Sequence, residues 1–174
     1  MWGFGKKKKT NPDGVNLLAS ILVCYPEITT ISYEPSEQTV EITFALNQRM
    51  DEKEYTTTVN FIWESVAAYQ SLQGLDDVSM ECSMELQGEM GFLHIKRDLM
   101  SLTRGEVALL ATLMRERFGD KLALDTKTDM RIDSESQAMQ EEIIERILGN
   151  VQQVRLSERL VGIREEDHVV VFNR

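Results

Sequence analysis

The sequence predicts an α+β protein in which an antiparallel sheet built from hairpins is covered by three or four amphipathic helices. Strand-like alternation of apolar and polar residues occurs in pairs of segments that are joined by short turns. A segment with apolar residues at helical spacing follows each of the first two pairs, so a ββα unit occurs twice. A third hairpin closes the chain, and this set of elements favours a layered α+β architecture.

Length and composition are typical of one folded domain. The chain has 174 residues, of which 42% are apolar and 28% are charged. A domain of this size buries about 70% of the surface of its unfolded chain, so its core requires neither a metal nor a disulfide. We expect residues 1–10 to form a flexible basic N-terminal tail and residues 11–174 to form a single α+β domain.

The first helix is predicted over residues 11–25. Asn11 can cap it, Pro12 suits the first helical position, and Pro26 ends it. Apolar residues recur along the segment at helical spacing, which predicts one face packed on a core.

The first hairpin is predicted from strands at residues 28–34 and 39–46. The second of these segments alternates cleanly between apolar and polar residues. A four-residue loop between them places Ile31 opposite Ile42, so that the apolar side chains of both strands share one face.

The second helix is predicted to begin after Asp51, which forms a capping-box pattern with Glu54. Gly74 is expected to end it. Two interpretations stay open for residues 55–60, because their three consecutive threonines favour a strand while the spacing of the apolar residues favours a helix.

The second hairpin is predicted within residues 78–98, with a turn in its middle. Matching the apolar faces places Cys82 opposite Ile95 on the buried side. The same register sets Glu81 opposite Lys96 on the solvent side, which is a favourable cross-strand pair.

The third helix is predicted to begin after Thr103, because Thr103 and Glu106 form a second capping box. Gly119 is the expected C-terminal cap. A short strand at residues 122–125 and a polar loop at residues 126–133 are expected to follow.

The last helix is predicted to start near Ser134, where Gln137 completes a capping pattern, and it can continue past Gly149. The final hairpin is predicted from strands at residues 160–164 and 168–172, joined by three acidic residues.

The final hairpin is unusual because both of its faces are apolar. A three-residue turn would place Val161 beside Val171 and Ile163 beside Val169. Strands that are buried on both sides have this composition, so we expect either helices on each face or an interface with another chain. The residues expected at such an interface, on the opposite face of the hairpin, are Leu160, Val170 and Phe172.

The charge distribution argues against nucleic acid as a partner. The chain has 19 basic and 29 acidic residues and a net charge of −10. Nucleic-acid affinity rests largely on clustered lysine and arginine, which an acidic body does not provide.

The N-terminal tail carries its own pattern of aromatic residues followed by lysines. Two interpretations are open: a solubilising tail without contacts, or weak and reversible contact with an anionic membrane or a partner. The residues that would make this contact are Trp2, Phe4, Lys6, Lys7, Lys8 and Lys9. No apolar stretch approaches the ~20 residues that a membrane-spanning helix needs, and we expect a cytoplasmic location.

No motif in the sequence demands a specific chemistry. His94 and His168 have no carboxylate or cysteine at metal-ligand spacing, and Cys24 and Cys82 are expected to be buried free thiols. The acidic clusters are expected to be solvated, and no phosphate-binding loop or nucleophile elbow is present in the sequence. We therefore assign no catalytic, cofactor-binding or metal-binding residues and expect no cofactor.

Two classes of function follow from this reading. We expect a non-catalytic protein-interaction or regulatory protein that binds a protein partner or associates with itself. The alternative is an enzyme or small-ligand-binding domain with a pocket between the helices and the sheet.

Overall fold

The computed structural model describes residues 12–75, 79–124, 133–166 and 168–174. Within these residues the chain forms four α-helices and a six-stranded antiparallel sheet, which confirms the α+β class. The elements are, in chain order, α1 (Pro12–Cys24), β1 (Thr30–Glu34), β2 (Thr39–Leu46), α2 (Glu52–Leu72), β3 (Met80–Gln87), β4 (Met90–Asp98), α3 (Arg104–Phe118) with a short 3-10 helix (Gly119–Lys121), α4 (Ser134–Gln153), β5 (Leu160–Glu165) and β6 (His168–Asn173).

The strands lie in the order β3-β4-β2-β1-β5-β6. The three hairpins therefore sit side by side, with β2 paired to β4 and β1 paired to β5. Within the described residues, β3 and β6 are the two edge strands.

The registers predicted for the first two hairpins are confirmed. Ile31 pairs with Ile42, and Cys82 pairs with Ile95. Ile42 also pairs with Ile95 across the junction of the two hairpins, so one apolar row crosses four strands. Register is selected here by burial, because a slip of one residue would turn every apolar side chain to water.

The described helices cover one face of the sheet. The buried cluster joins apolar residues of all four helices to the strand residues that point to one side of the sheet, among them Ile31, Ile42, Ile95 and Leu160. We call this the helix face. We call the opposite side the open face. It carries the alternate strand residues, among them Thr43, His94 and Val161, and none of the described helices packs on it.

Residues 55–60 are helical, which resolves the choice that the sequence left open. Asp51 caps α2 as predicted, because its side chain accepts a hydrogen bond from the backbone N–H of Glu54 at 2.7 Å. The hydroxyls of Thr56 and Thr57 each donate to the backbone carbonyl four residues earlier, at 2.9 Å. These threonines thus satisfy their hydroxyls within the helix.

Both predicted ends of α3 are confirmed. The hydroxyl of Thr103 accepts from the backbone N–H of Glu106 at 3.2 Å, and Gly119 ends the helix with φ 50°. Only glycine adopts this left-handed conformation without a steric penalty. The strand predicted at residues 122–125 is wrong within the described part: Leu122 makes a single isolated bridge to Leu46.

Helix α4 begins at Ser134 as predicted, but its cap is the preceding residue. The side chain of Asp133 accepts from the backbone N–H of Ser136 at 2.8 Å. The helix continues through Gly149 to Gln153, as the sequence allowed. The predicted loop before it falls almost entirely on residues outside the described ranges.

The register predicted for the final hairpin is wrong by one residue. Glu165 pairs with His168, so the loop has two residues rather than three. Ile163 therefore pairs with Val170, and Val161 pairs with Phe172. Two-residue loops are the commonest hairpin connections, because their twist matches that of the strands.

The corrected register also separates the three residues expected at an interface, because they no longer share one face of the sheet. Leu160 is 1% exposed and lies on the helix face, so it belongs to the core and not to an exposed surface. Val170 and Phe172 lie on the open face. Val169 and Val171 occupy the helix face and pack against the core.

Candidate protein-interaction site

The two edges of the sheet differ in their protection. Edge strands usually carry charged side chains that prevent unwanted pairing with other chains. Strand β3 follows this rule, because Glu81 and Glu85 lie along it. Strand β6 reads His-Val-Val-Val-Phe-Asn and contains no acid, lysine or proline. Of the two edge strands among the described residues, β6 is therefore the one without such charged side chains.

One hydrogen bond establishes which way the backbone of β6 points. The N–H of Arg174 donates to the carbonyl of Arg159 at 3.0 Å, so residue 174 points toward β5. Backbone groups alternate along an antiparallel strand. Val169, Val171 and Asn173 therefore direct their N–H and C=O groups away from β5, toward the free edge.

An apolar patch on the open face adjoins this edge. It consists of Val161, Ile163, Val170 and Phe172, and we call it the β6 patch. Val161 is 9% exposed, Ile163 and Val170 are half-buried, and Phe172 is 40% exposed. Two of the three residues expected at an interface thus lie together beside the unpaired edge.

The final hairpin is held firmly against the rest of the chain. The guanidinium of Arg164 donates to the backbone carbonyls of Leu22 and Ile28, the second at 3.2 Å, and so ties β5 to the C-terminal end of α1. Gly162 allows α1 to approach, since an added Cβ would lie 2.9 Å from Leu22 Cδ1. The β6 edge is thus presented on a fixed support.

The centre of the open face is polar and is built around His94, which lies opposite Ser83. Its Nδ1 lies 2.8 Å from the hydroxyl of Thr43 and 3.4 Å from a carboxylate oxygen of Glu41. Its Nε2 lies 3.3 Å from Glu85. The two carboxylates approach different nitrogens of the ring, and no group of three potential metal ligands occurs within the described residues.

A polar concavity of about 420 Å³ lies on the same face, between β1, β2 and β4. Its charges form ion pairs with one another: Lys96 with Glu37 at 2.5 Å and Arg159 with Glu34 at 2.6 Å. Hydrogen bonds from Arg159 lower the pKa of Glu34 to about 2. The concavity is lined by Ser32, Glu34, Ser36, Glu37, Thr39, Glu41, Lys96 and Arg159.

A buried ion pair lies beneath the helices, and the sequence reasoning missed it. The side chains of Arg97 and Glu106 are 0% and 1% exposed, and two hydrogen bonds of 2.9 and 3.0 Å join them. Gln70 donates to the same carboxylate at 2.6 Å. The signal was available: Arg97 follows Leu93 and Ile95 at the inward positions of β4. This network connects α2, β4 and α3.

Neither cysteine is activated. Cys24 is buried, Cys82 is half-buried, and both are free thiols. Burial raises the pKa of the Cys24 thiol and raises that of Cys82 to about 11. Since the thiolate is the reactive form, both side chains are protonated near neutral pH and act as small apolar residues.

Several sequence predictions fall outside the described residues. They concern the N-terminal tail with its aromatic residues and lysines, the helix cap at Asn11, the acidic pair at residues 76–77 and the loop residue Asp167. His168 is described, and its Nε2 lies 3.2 Å from Glu165. Among the helices that the structure describes, none has the length and apolar character needed to cross a bilayer.

Comparison with known proteins gives no assignment. No family model matches the chain, and neither the curated proteins nor the solved structures contain a significant match.

Proposed function

We propose that this protein is a non-catalytic protein-interaction or regulatory protein, and that it binds its partner through the β6 edge. The observation that carries this proposal is the contrast between the two edges of one sheet: β3 bears two glutamates, and β6 bears none. A partner would add an extended strand to β6, which is a recurring mode of peptide recognition.

The backbone of β6 supplies the affinity in this mode. Val169, Val171 and Asn173 offer their N–H and C=O groups to an incoming strand. Main-chain hydrogen bonds hold the added strand, and the side chains on each face select it.

The β6 patch supplies the apolar contact. Phe172 is 40% exposed, and complete burial of a phenylalanine side chain contributes about 1.5–3 kcal/mol, so covering the exposed part contributes on the order of 1 kcal/mol. A lysine at this position would remove that contribution and place a charge in an apolar contact. Because about 1.4 kcal/mol corresponds to a tenfold change in affinity, we expect Phe172→Lys to weaken binding at least about tenfold.

A matched pair of variants tests the proposal. Phe172→Lys changes the β6 edge, and Leu86→Lys makes the same change on the β3 edge at nearly the same exposure, 42%. Each full-length protein is immobilised and used to capture proteins from native lysate. We expect the wild type and Leu86→Lys to retain the same bound proteins and Phe172→Lys to lose them.

Amide hydrogen exchange locates the contact. With a captured partner bound, the amides of Val169, Val171 and Asn173 should become protected, whereas those of Val170 and Phe172 face β5 and are protected already. Equal capture by all three proteins, or new protection confined to another element, would refute the proposal.

A further inference from the structure

We infer that the partner strand is β6 of a second copy of this chain, paired antiparallel about a two-fold axis at Val171. This inference rests on the proposed function, since it requires β6 to be the binding edge. The difference in charge between β3 and β6 identifies the binding edge, whereas the partner and the register follow from the observations below.

The charge of the chain points to β6 as the edge that tolerates self-association. Each copy carries a net charge of −10, which opposes contact between copies in general. Pairing β3 with itself would bring Glu81 and Glu85 of two copies together. The segment from His168 to Arg174 contains no acidic residue, so the paired strands themselves bring no side-chain carboxylates together. The carboxylate nearest this strand, Glu158, accepts a hydrogen bond from Asn173 at 3.2 Å.

The backbone orientation restricts the register. Only residues that point outward can exchange hydrogen bonds with a second edge, so Val169, Val171 and Asn173 must pair among themselves. Centring the pair on Val171 places it opposite its own copy and places each Val169 opposite an Asn173. All three outward residues of each copy are then paired, with about six main-chain hydrogen bonds.

The side chains on the open face fit the same register. Val170 of each copy lies directly beside Phe172 of the other, in a pair without main-chain hydrogen bonds, where side chains approach most closely. The two β6 patches thereby join into one apolar surface across the axis. The result is a continuous sheet with the described helices of both copies on the same side.

Disulfide trapping tests the register in the full-length chain. Cys24→Ala and Cys82→Ala remove the native thiols, and Val170→Cys and Phe172→Cys are made separately in this background. The inferred register places residue 170 of one copy at about 4.5 Å, Cα to Cα, from residue 172 of the other, a separation that a disulfide can bridge. We expect mixing the two variants under mild oxidation to give a cross-linked dimer in high yield, and each variant alone to give little.

Three outcomes overturn the inference in distinguishable ways. Self-linking of Val170→Cys alone indicates an axis at Val170, and self-linking of Phe172→Cys alone indicates an axis at Phe172. Sedimentation equilibrium that shows only the 19.9 kDa monomer at all concentrations excludes the second copy as partner. If Phe172→Lys still loses its captured proteins in that case, the proposed function stands with a different partner; if it does not, both fail.

Discussion

Replacing Glu106 with glutamine tests the buried ion pair, and we expect this change to destabilise the fold strongly. The carboxylate of Glu106 accepts two hydrogen bonds from Arg97, at 2.9 and 3.0 Å, and one from Gln70 at 2.6 Å. Glutamine would turn an N–H toward a guanidinium that has only donors. The guanidinium of Arg97, whose side chain is 0% exposed, would keep only the partly exposed Asp98, at 2.5 Å, as a carboxylate partner.

The expected loss follows from the burial of both partners. Removing one member of a buried ion pair costs about 3–5 kcal/mol in the free energy of unfolding. Because Asp98 still balances part of the charge of Arg97, we expect the lower end of this range, about 3 kcal/mol. With a urea m-value of about 2 kcal/mol/M, the midpoint of unfolding then falls by about 1.5 M. Glu145→Gln is the matched control, because Glu145 pairs with Arg104 at 2.7 Å but is 58% exposed. Such a surface pair contributes at most about 1 kcal/mol.

Urea unfolding followed by far-UV circular dichroism measures both variants. A third variant separates charge from packing: Arg97→Met combined with Glu106→Leu removes both charges and keeps apolar volume. We expect this pair of changes to recover part of the stability lost in Glu106→Gln, because apolar residues replace buried ion pairs at little cost. The recovery is incomplete because buried Gln70 loses its acceptor and Asp98 loses its ion-pair partner. A buried ion pair of this strength is excluded if Glu106→Gln is no less stable than Glu145→Gln, or if the double variant is as unstable as Glu106→Gln.

Three further predictions use single sites. Val171→Pro should abolish dimers in sedimentation, because it removes an N–H that points outward. Its unfolding midpoint should match that of Val171→Ala, which loses the same core packing, whereas Val170→Pro should unfold well below Val170→Ala, since the N–H of Val170 faces β5. Gly149→Ala should raise the free energy of unfolding by about 0.5–1 kcal/mol, as nothing lies within 4 Å of an added Cβ in mid-helix; a loss of stability would contradict this. The pKa of Glu34, about 2, should rise toward 4.5 in Arg159→Gln when measured by NMR titration. Because this folded-state pKa is depressed, the ion pair stabilises the wild type above pH 4.5 and stops doing so as the pH falls to about 2.

The sequence determined the elements whose signals are local. Clean alternation set the registers of the first two hairpins, including the pairing of Ile31 with Ile42. Capping residues at Asp51 and Thr103 set the starts of α2 and α3, because a cap needs only a side chain and an N–H within one turn. The apolar character of Val170 and Phe172 was also visible, and it was enough to expect an interface.

Only the tertiary structure decided the features that depend on distant parts of the chain. In the final hairpin both faces are apolar, so one register buries Val169 and Val171 and the other buries Val170 and Phe172, and no local pattern prefers either. Contact with α1 decides between them. Residues 55–60 became helical for a similar reason, since Thr58 is 0% exposed and packs within the fold.

The candidate site could not be predicted without knowing the order of the strands in the sheet. Nothing within residues 168–173 indicates whether a neighbour covers their backbone, because strand order depends on pairing between segments far apart in sequence. The pairing of Arg97 with Glu106 could not be predicted for the same reason. An arginine among inward residues indicates a buried partner, but only the packing of α3 against β4 shows that this partner is Glu106. The apolar–polar periodicity of a strand or helix extends over a few residues and can therefore be recognised in the sequence. Sheet edges, sheet faces and buried ion pairs form only when elements that are distant in sequence pack together.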